Sequence, residues 1–353
     1  MRLVGLRAEC EALLQERPGL WEAFRDARIF VTGGTGFVGC SLLELLLHAI
    51  DRYHLGARVV VLTRDPEAFL AKAPHLASHP AIGTHTGDVR TFDFPAGRFD
   101  FVIHGATAAS RHLNDVGPLA LMETIVDGTR RTLDFAGACG CRKLLFISSG
   151  AVYGRQPADV ALVREEHPGG PDPTSPGSAY GEGKRAAELL CVLHGQRAGV
   201  EPKIARPYAF VGPYLPLDRH FAIGNFVGDA LAGRPIVVRG DGTTVRSYMY
   251  GLDLALWLLT ILVDGAPCRP YNVGSEEAIR SGDLAGQVAR ACGDGRTVEI
   301  RGPLTPGALV DRYVPDTSRA RTELGLRPTV TLDAAIARTW QWHLDGTTGR
   351  NEP

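Results

Sequence analysis

Leu144-Leu145-Phe146-Ile147-Ser148-Ser149-Gly150-Ala151-Val152-Tyr153-Gly154 leads through a Pro- and Gly-rich loop to Tyr180-Gly181-Glu182-Gly183-Lys184. The apolar head of this stretch has the composition of a buried strand, and its last segment opens a helix. Tyr180 and Lys184 are four residues apart, so on a helix they lie one turn apart on the same face. A Lys ammonium beside a phenol favours the phenolate and lowers its pKa. A Ser hydroxyl at the strand's end can share the phenol's proton and bind a carbonyl oxygen. Together these groups can donate and accept a proton in alcohol–ketone interconversion. Side chains alternate along a strand, so only one of Ser148 and Ser149 can face such a site.

Upstream, Arg28-Ile29-Phe30-Val31 reads as a strand and Ser41 to Ile50 as an apolar helix, with Thr32-Gly33-Gly34-Thr35-Gly36-Phe37-Val38-Gly39 between them. Gly33 suits a tight turn, Gly36 lets backbone approach a pyrophosphate, and Gly39 lets helix and strand pack closely. The helix N-terminus then offers free N–H groups to a dinucleotide. A second strand, Arg58 to Leu62, is followed by Thr63-Arg64-Asp65. NAD enzymes usually place an acid at the first of these positions for the ribose 2′-OH; an Arg can pair with a 2′-phosphate instead. Arg64 therefore points to NADP, with NAD as the alternative if Asp65 serves the ribose. A fourth strand, Phe101 to His104, ends in the small residues Gly105-Ala106-Thr107-Ala108-Ala109, and His104 reads as a packed strand residue. Strands alternating with helices predict an α/β fold: a Rossmann-type doubly wound parallel sheet with a smaller mixed α/β C-terminal substrate domain.

The order of glycine loop, Ser-ended strand and Tyr-x-x-x-Lys helix resembles the short-chain dehydrogenase/reductase superfamily. More narrowly it resembles the extended NAD-dependent epimerase/dehydratase branch, which acts on nucleotide-diphosphate sugars. The likeness runs from about Arg28 to about Trp342. It implies Ser149, Tyr180 and Lys184 as catalytic residues. The cofactor is expected against Gly33, Thr35, Gly36, Phe37, Val38, Gly39, Arg64, Asp88, Val89, Ala106, Tyr180 and Lys184, with Asp88 at the adenine. Substrate contacts are expected from Ser149, Tyr208, Asn225 (within His220 to Phe226) and Arg246, the last on the diphosphate, which a guanidinium fork suits. No metal is implied. Where many relatives carry an Asn near the sugar diphosphate, this chain has Ala209.

The resemblance also narrows the chemistry. Dehydratases and decarboxylating members of the branch usually carry acidic residues after the catalytic Ser; this chain has Gly150-Ala151, with Glu165 and Glu166 in the following loop as candidates. A ketoreductase acting at C4 is the favoured expectation through Arg64 and NADPH. A 4-epimerase with retained NAD is the alternative; a 4,6-dehydratase or a non-catalytic nucleotide-binding protein rank lower.

The chain has 353 residues and a formal net charge of −1. No basic block suggests nucleic acid, and no apolar run is long enough for a membrane. Seven cysteines without zinc-site spacing suit a reducing cytoplasm. The expected organisation is a helical extension over 1–27, a dinucleotide domain over 28–204 joined by part of 244–275, a substrate domain mainly over 205–345, and a tail over 346–353. The extension could cover the sheet edge or meet a partner. Relatives of this kind dimerise through two helices per subunit, here 117–137 and 179–196, so a homodimer is expected.

Overall fold

A computed structural model describes residues 2–107, 113–196, 199–218, 221–293, 296–304, 307 and 309–348. Ala108, Ala109, His220 and tail residues 349–353 lie outside them.

Strands β1 (Arg28–Thr32), β2 (Arg58–Thr63), β3 (Ile82–Thr86), β4 (Phe101–His104), β5 (Lys143–Ile147) and β6 (Glu201–Pro207) form most of the main sheet. Short strands follow: β7 (Ala209–Val211), β8 (Ile236–Val238), β9 (Val245–Arg246) and β10 (Tyr248–Tyr250). The later strands are β11 (Pro270–Val273), β12 (Ile279–Arg280), β13 (Val298–Ile300) and β14 (Arg312–Tyr313). The main sheet has seven strands in the order β11-β6-β5-β4-β1-β2-β3, and every pair in it is parallel. Strand β6 runs past the domain boundary expected at 204/205, and β11 joins the same sheet beside it.

An all-parallel sheet needs cover on both faces, and the alternation of side chains supplies it. Ile29, Val31, Val59, Val61 and Ile103 point into one core, whereas Phe30, Val102, Leu144 and Phe146 point into the other. Helices α1 (Arg2–Glu16), α2 (Phe37–Arg52), α3 (Pro66–Lys72) and α4 (Pro74–Ala77) precede α5 (Leu113–Ala138) and α6 (Ala179–Gly195). After them come α7 (Ala222–Leu231), α8 (Gly251–Asp264), α9 (Ser281–Ala291), α10 (Ser318–Leu324) and α11 (Leu332–Thr348). Helices α2 and α8 pack together over the first core, and α5 and α6 cover the second.

Helix α2 starts four residues earlier than the apolar pattern suggested, directly on the glycine loop. Helix α5 starts before Gly117, where a φ of +72° followed by Pro118 breaks its path. His104 is a packed residue, as expected. Its ring sits between Thr32 Oγ1 (2.7 Å) and Thr129 Oγ1 (3.0 Å), and burial pulls its pKa down to about 3.

The N-terminal extension packs on the molecule itself, neither along the sheet edge nor away from it. Helix α1 lies on α2, α8 and α11 and buries Leu6, Cys10, Leu13 and Leu14. Glu9 accepts from Tyr250 Oη at 2.6 Å and pairs with Arg338 at 3.3 Å, and the Arg2 guanidinium lies 3.5 Å from the Trp342 ring centre. The extension is therefore part of the core. Leu14→Ala, at a fully buried site, is expected to cost about 2–5 kcal/mol in urea unfolding. A loss under about 1 kcal/mol would show that α1 is only loosely attached.

Candidate active site

The glycine loop is shaped by contact. Gly33 sits at φ +75°, and a Cβ there would lie 2.5 Å from the carbonyl carbon of Gly105. A Cβ on Gly39 would lie 2.3 Å from the Gly33 oxygen. Gly36 is exposed and caps α2 without a side-chain hydrogen bond, so the first N–H groups of the helix are free for an anion. Across the loop, Ala106 N donates to Thr32 Oγ1 (3.2 Å), and Thr107 Oγ1 is buried with no partner. An uncapped helix, close backbone approach and an orphaned hydroxyl fit a dinucleotide pyrophosphate and ribose. Thr35, Phe37 and Val38 are half-buried beside them, and Lys72 Nζ holds the Thr35 carbonyl at 2.7 Å.

At the adenosine end, Asp65 is committed to capping α3, its carboxylate accepting from Ala68 N at 2.8 Å. Arg64 is exposed. Asp88 is held by Arg90 through bonds of 2.9 and 3.3 Å, and its pKa lies below the ordinary range, first through Arg90 and also through the charge of Arg64. Val89 turns its side chain into the second core, against Gly128.

Strand β5 decides between the two serines. Ser148 points inward and donates to Glu188 at 2.5 Å. Glu188 in turn receives Arg206 in a two-pronged pair at 2.9 and 2.6 Å. Ser149 faces the other way. Its Oγ accepts from Ala151 N (3.1 Å) and lies 3.5 Å from Tyr313 Oη, and it is close enough to Tyr180 to bear on the phenol's pKa. Lys184 is 2% exposed. Its Nζ donates to the Ile147 carbonyl at 2.8 Å and stands 5.9 Å from the Tyr180 ring centre.

Tyr208 joins this cluster, tilted against Tyr313 with ring centres 4.3 Å apart, and its hydroxyl is buried without a partner among the described residues. The two rings lie over Gly150: a Cβ there would meet the Tyr208 ring at 2.6 Å and Tyr313 Oη at 2.7 Å. Arg246 lies beyond, 5.8 Å from the Tyr313 ring centre, and pairs with Asp311. Asn225 is half-buried on α7, and no described contact brings its side chain to this group. Glu165 is buried against Asn272 N (2.8 Å) and Arg319 (3.8 Å), and Glu166 pairs with Arg319 at the surface. Neither carboxylate belongs to the cluster. Among the described residues no group of His, Cys, Asp and Glu could hold a metal.

Two members went unseen in the sequence. Glu188 had a signal, since it continues the Tyr180–Lys184 face by one more turn. Tyr313 had none, because a two-residue strand carries no periodicity. One electrostatic expectation is corrected. Burial holds the Tyr180 phenol above its ordinary value, and the opposing influence is Ser149, not Lys184. Desolvation also pulls Lys184 down to about 8, with Glu188 resisting. In this state, taking both groups out of water outweighs their mutual effect.

The family model described as NAD dependent epimerase/dehydratase matches residues 29–274. UDP-glucuronic acid decarboxylase 1 of Arabidopsis thaliana is 31% identical over 313 residues, covering 88% of this chain and 68% of that protein. A dTDP-glucose 4,6-dehydratase of Streptomyces antibioticus is 27% identical, covering 90% of this chain and 92% of its own. A UDP-glucose 4-epimerase of Thermotoga maritima solved with UDP-glucose shares the fold, with TM-score 0.76 and 22% identity over 91% of this chain and 99% of that one. A dTDP-glucose 4,6-dehydratase from Streptomyces venezuelae solved with NAD gives TM-score 0.76 and 26% identity over 91% and 98%.

The buried lysine gives a test that needs no substrate. The folded pKa of about 8 lies below the ordinary 10.5, so the unfolded chain binds the proton more tightly. The cost of burying the ammonium is fully present below pH 8 and fades as pH rises towards 10.5. Wild type should therefore gain about 2–3 kcal/mol between pH 7 and pH 10 relative to Lys184→Met, read from paired urea unfolding curves. Parallel curves would show that Lys184 keeps an ordinary pKa.

Proposed function

This chain belongs to the NAD dependent epimerase/dehydratase family, and on that premise we propose that it is a nucleotide-sugar 4-epimerase, oxidising and re-reducing one hydroxyl-bearing carbon. The observation that carries this is the slot over Gly150. Tyr208 and Tyr313 fill the space that a side chain on Gly150 would need, and Ala151 beside it carries no carboxylate. Ser149, Tyr180 and Lys184 supply what a reversible alcohol oxidation needs, while elimination of water needs a further acid and base. The names of the relatives, decarboxylase and dehydratase, describe chemistry that calls for a further acid, and the one carboxylate of this cluster, Glu188, is engaged with Ser148 and Arg206.

Tyr180 takes the proton of the sugar hydroxyl and returns it after the keto-sugar has turned over. Ser149 hydrogen-bonds the same oxygen. Lys184 keeps a positive charge beside the phenol as it loses its proton, and Glu188 supports that charge from one turn further on. Arg246 exchanges Asp311 for the diphosphate of the substrate. The α2 N-terminus, Gly33, Gly36 and Ala106 hold the dinucleotide. A bound NAD would supply the hydride acceptor and donor for the same carbon.

Arg64 supports a second reading, the C4 ketoreductase using NADPH. It is exposed at the ribose end while Asp65 is engaged in its cap, and a guanidinium there suits a 2′-phosphate. A homodimer is supported by the apolar residues left on the outer faces of α5 and α6: Leu119 at 71% exposed, Leu189 at 59% and Leu193 at 45%. Among the described residues no helix is long and apolar enough to cross a membrane.

Nucleotide released from denatured protein and identified by mass spectrometry should be NAD. Release of none, with a preference for NADPH on titration, would replace the epimerase with the reductase. Tyr180→Phe should lose about 10²–10⁴-fold in turnover of nucleotide-sugar substrates while still binding NADH, and full turnover would remove Tyr180 from the mechanism. Leu189→Arg with Leu193→Arg should give a monomer by light scattering; an unchanged dimer would place the interface elsewhere.

A further inference from the structure

The small sheet of β12, β9 and β14 has two faces, and the candidate active site uses one. Its register sets Ile279, Arg246 and Tyr313 in one row, and this row reaches Ser149 through Tyr313. The neighbouring row is Arg280, Val245 and Arg312. Successive strand residues point to opposite faces, so this second row looks away from the catalytic cluster.

The reverse face is hollow. Arg280, Val245 and Arg312, with Ala158, Leu309 and Val310, line a cavity of about 310 Å³. A smaller one of about 130 Å³ adjoins it, sharing Ala158, Leu309 and Val310 and adding Arg155. The linings hold three arginines and no carboxylate, although the whole chain is close to neutral. Neither Arg280 nor Arg312 has a side-chain hydrogen bond or ion pair among the described residues, and Arg155 reaches one backbone carbonyl, that of Leu309, at 3.4 Å. The same linings include an apolar wall, with Leu309 66% and Val310 41% exposed.

Unbalanced guanidinium groups attract phosphate, which they bind through a planar fork. Exposed leucine and valine in a concavity favour a planar or apolar group. We propose that this reverse face is a second ligand site, separate from the catalytic cleft, that takes a nucleoside phosphate. Val245 and Arg312 immediately precede Arg246 and Tyr313, so a ligand on one face bears directly on the two side chains that the other face presents to the substrate.

Calorimetry with UDP and with inorganic pyrophosphate tests this. Wild type should bind UDP at two sites per chain. Arg280→Ala with Arg312→Ala should remove one, weakening it at least about ten-fold, and Arg246→Ala should remove the other. At the reverse face, UDP should bind more tightly than pyrophosphate. A single UDP event abolished by either set of changes would place both arginine rows in one cleft and overturn the proposal, as would two events that the double variant leaves intact. Equal affinity for the two probes would overturn the role of the apolar wall. Binding that responds to the double variant but not to Arg246→Ala would uphold the reverse-face site and count against the catalytic reading instead. All three arginines lie at the surface or half-buried, so the variants are expected to fold.

Discussion

The arrangement of the site depends on a buried ion pair. Glu188 on α6 and Arg206 on β6 meet in the two-pronged geometry that a guanidinium prefers, with side chains 11% and 14% exposed. Such a pair adds little net stability, because desolvating the charges offsets their attraction, yet removing one partner costs about 3–5 kcal/mol. What it adds is position. Glu188 also captures the Ser148 hydroxyl, which fixes the face of the strand end. Once Ser148 is turned inward, the period of two turns Ser149 outward. Arg206 then donates to Tyr153 Oη at 2.7 Å, and Tyr153 donates to Asn272 at 2.8 Å. One buried network thus ties the helix of Tyr180 and Lys184 to β5, β6 and β11.

The same burial prepares the catalytic groups at a cost. Lys184 is held away from water against a backbone carbonyl, and the phenol of Tyr180 is held towards its neutral form. Neither condition favours a phenolate and an ammonium side by side. A site of this kind reaches its working state only when further positive charge or hydrogen-bonding groups arrive to replace lost solvent. On the proposed reading, that places the control of proton transfer in the assembled complex.

Much of this was legible in the sequence because it rests on local rules. The glycine loop, the strand alternation and the one-turn spacing of Tyr180 and Lys184 are short-range patterns, and the parallel sheet follows from them. The missed parts depend on long-range placement. Tyr313 reaches Ser149 across 164 residues of sequence from a strand too short to announce itself. Helix α1 has its apolar residues spread with little contrast between faces, because it packs against three neighbours instead of one. Residue charge likewise suggested that Lys184 would lower the Tyr180 pKa, and only the depth of burial reversed that sign.

The absence of an acid at Gly150 is a matter of volume. An acidic residue in place of Gly150 would need room for a Cβ and a carboxylate where two phenol rings already pack. Removing one ring would leave a cavity beside Ser149, and removing neither would force the turn at Gly150–Tyr153 away from α6, on which it packs. Placing a carboxylate at Gly150 therefore requires coordinated changes at Tyr208 and Tyr313 as well. Their mutual fit makes the missing side chain at Gly150 a property of the three residues together and not of one alone.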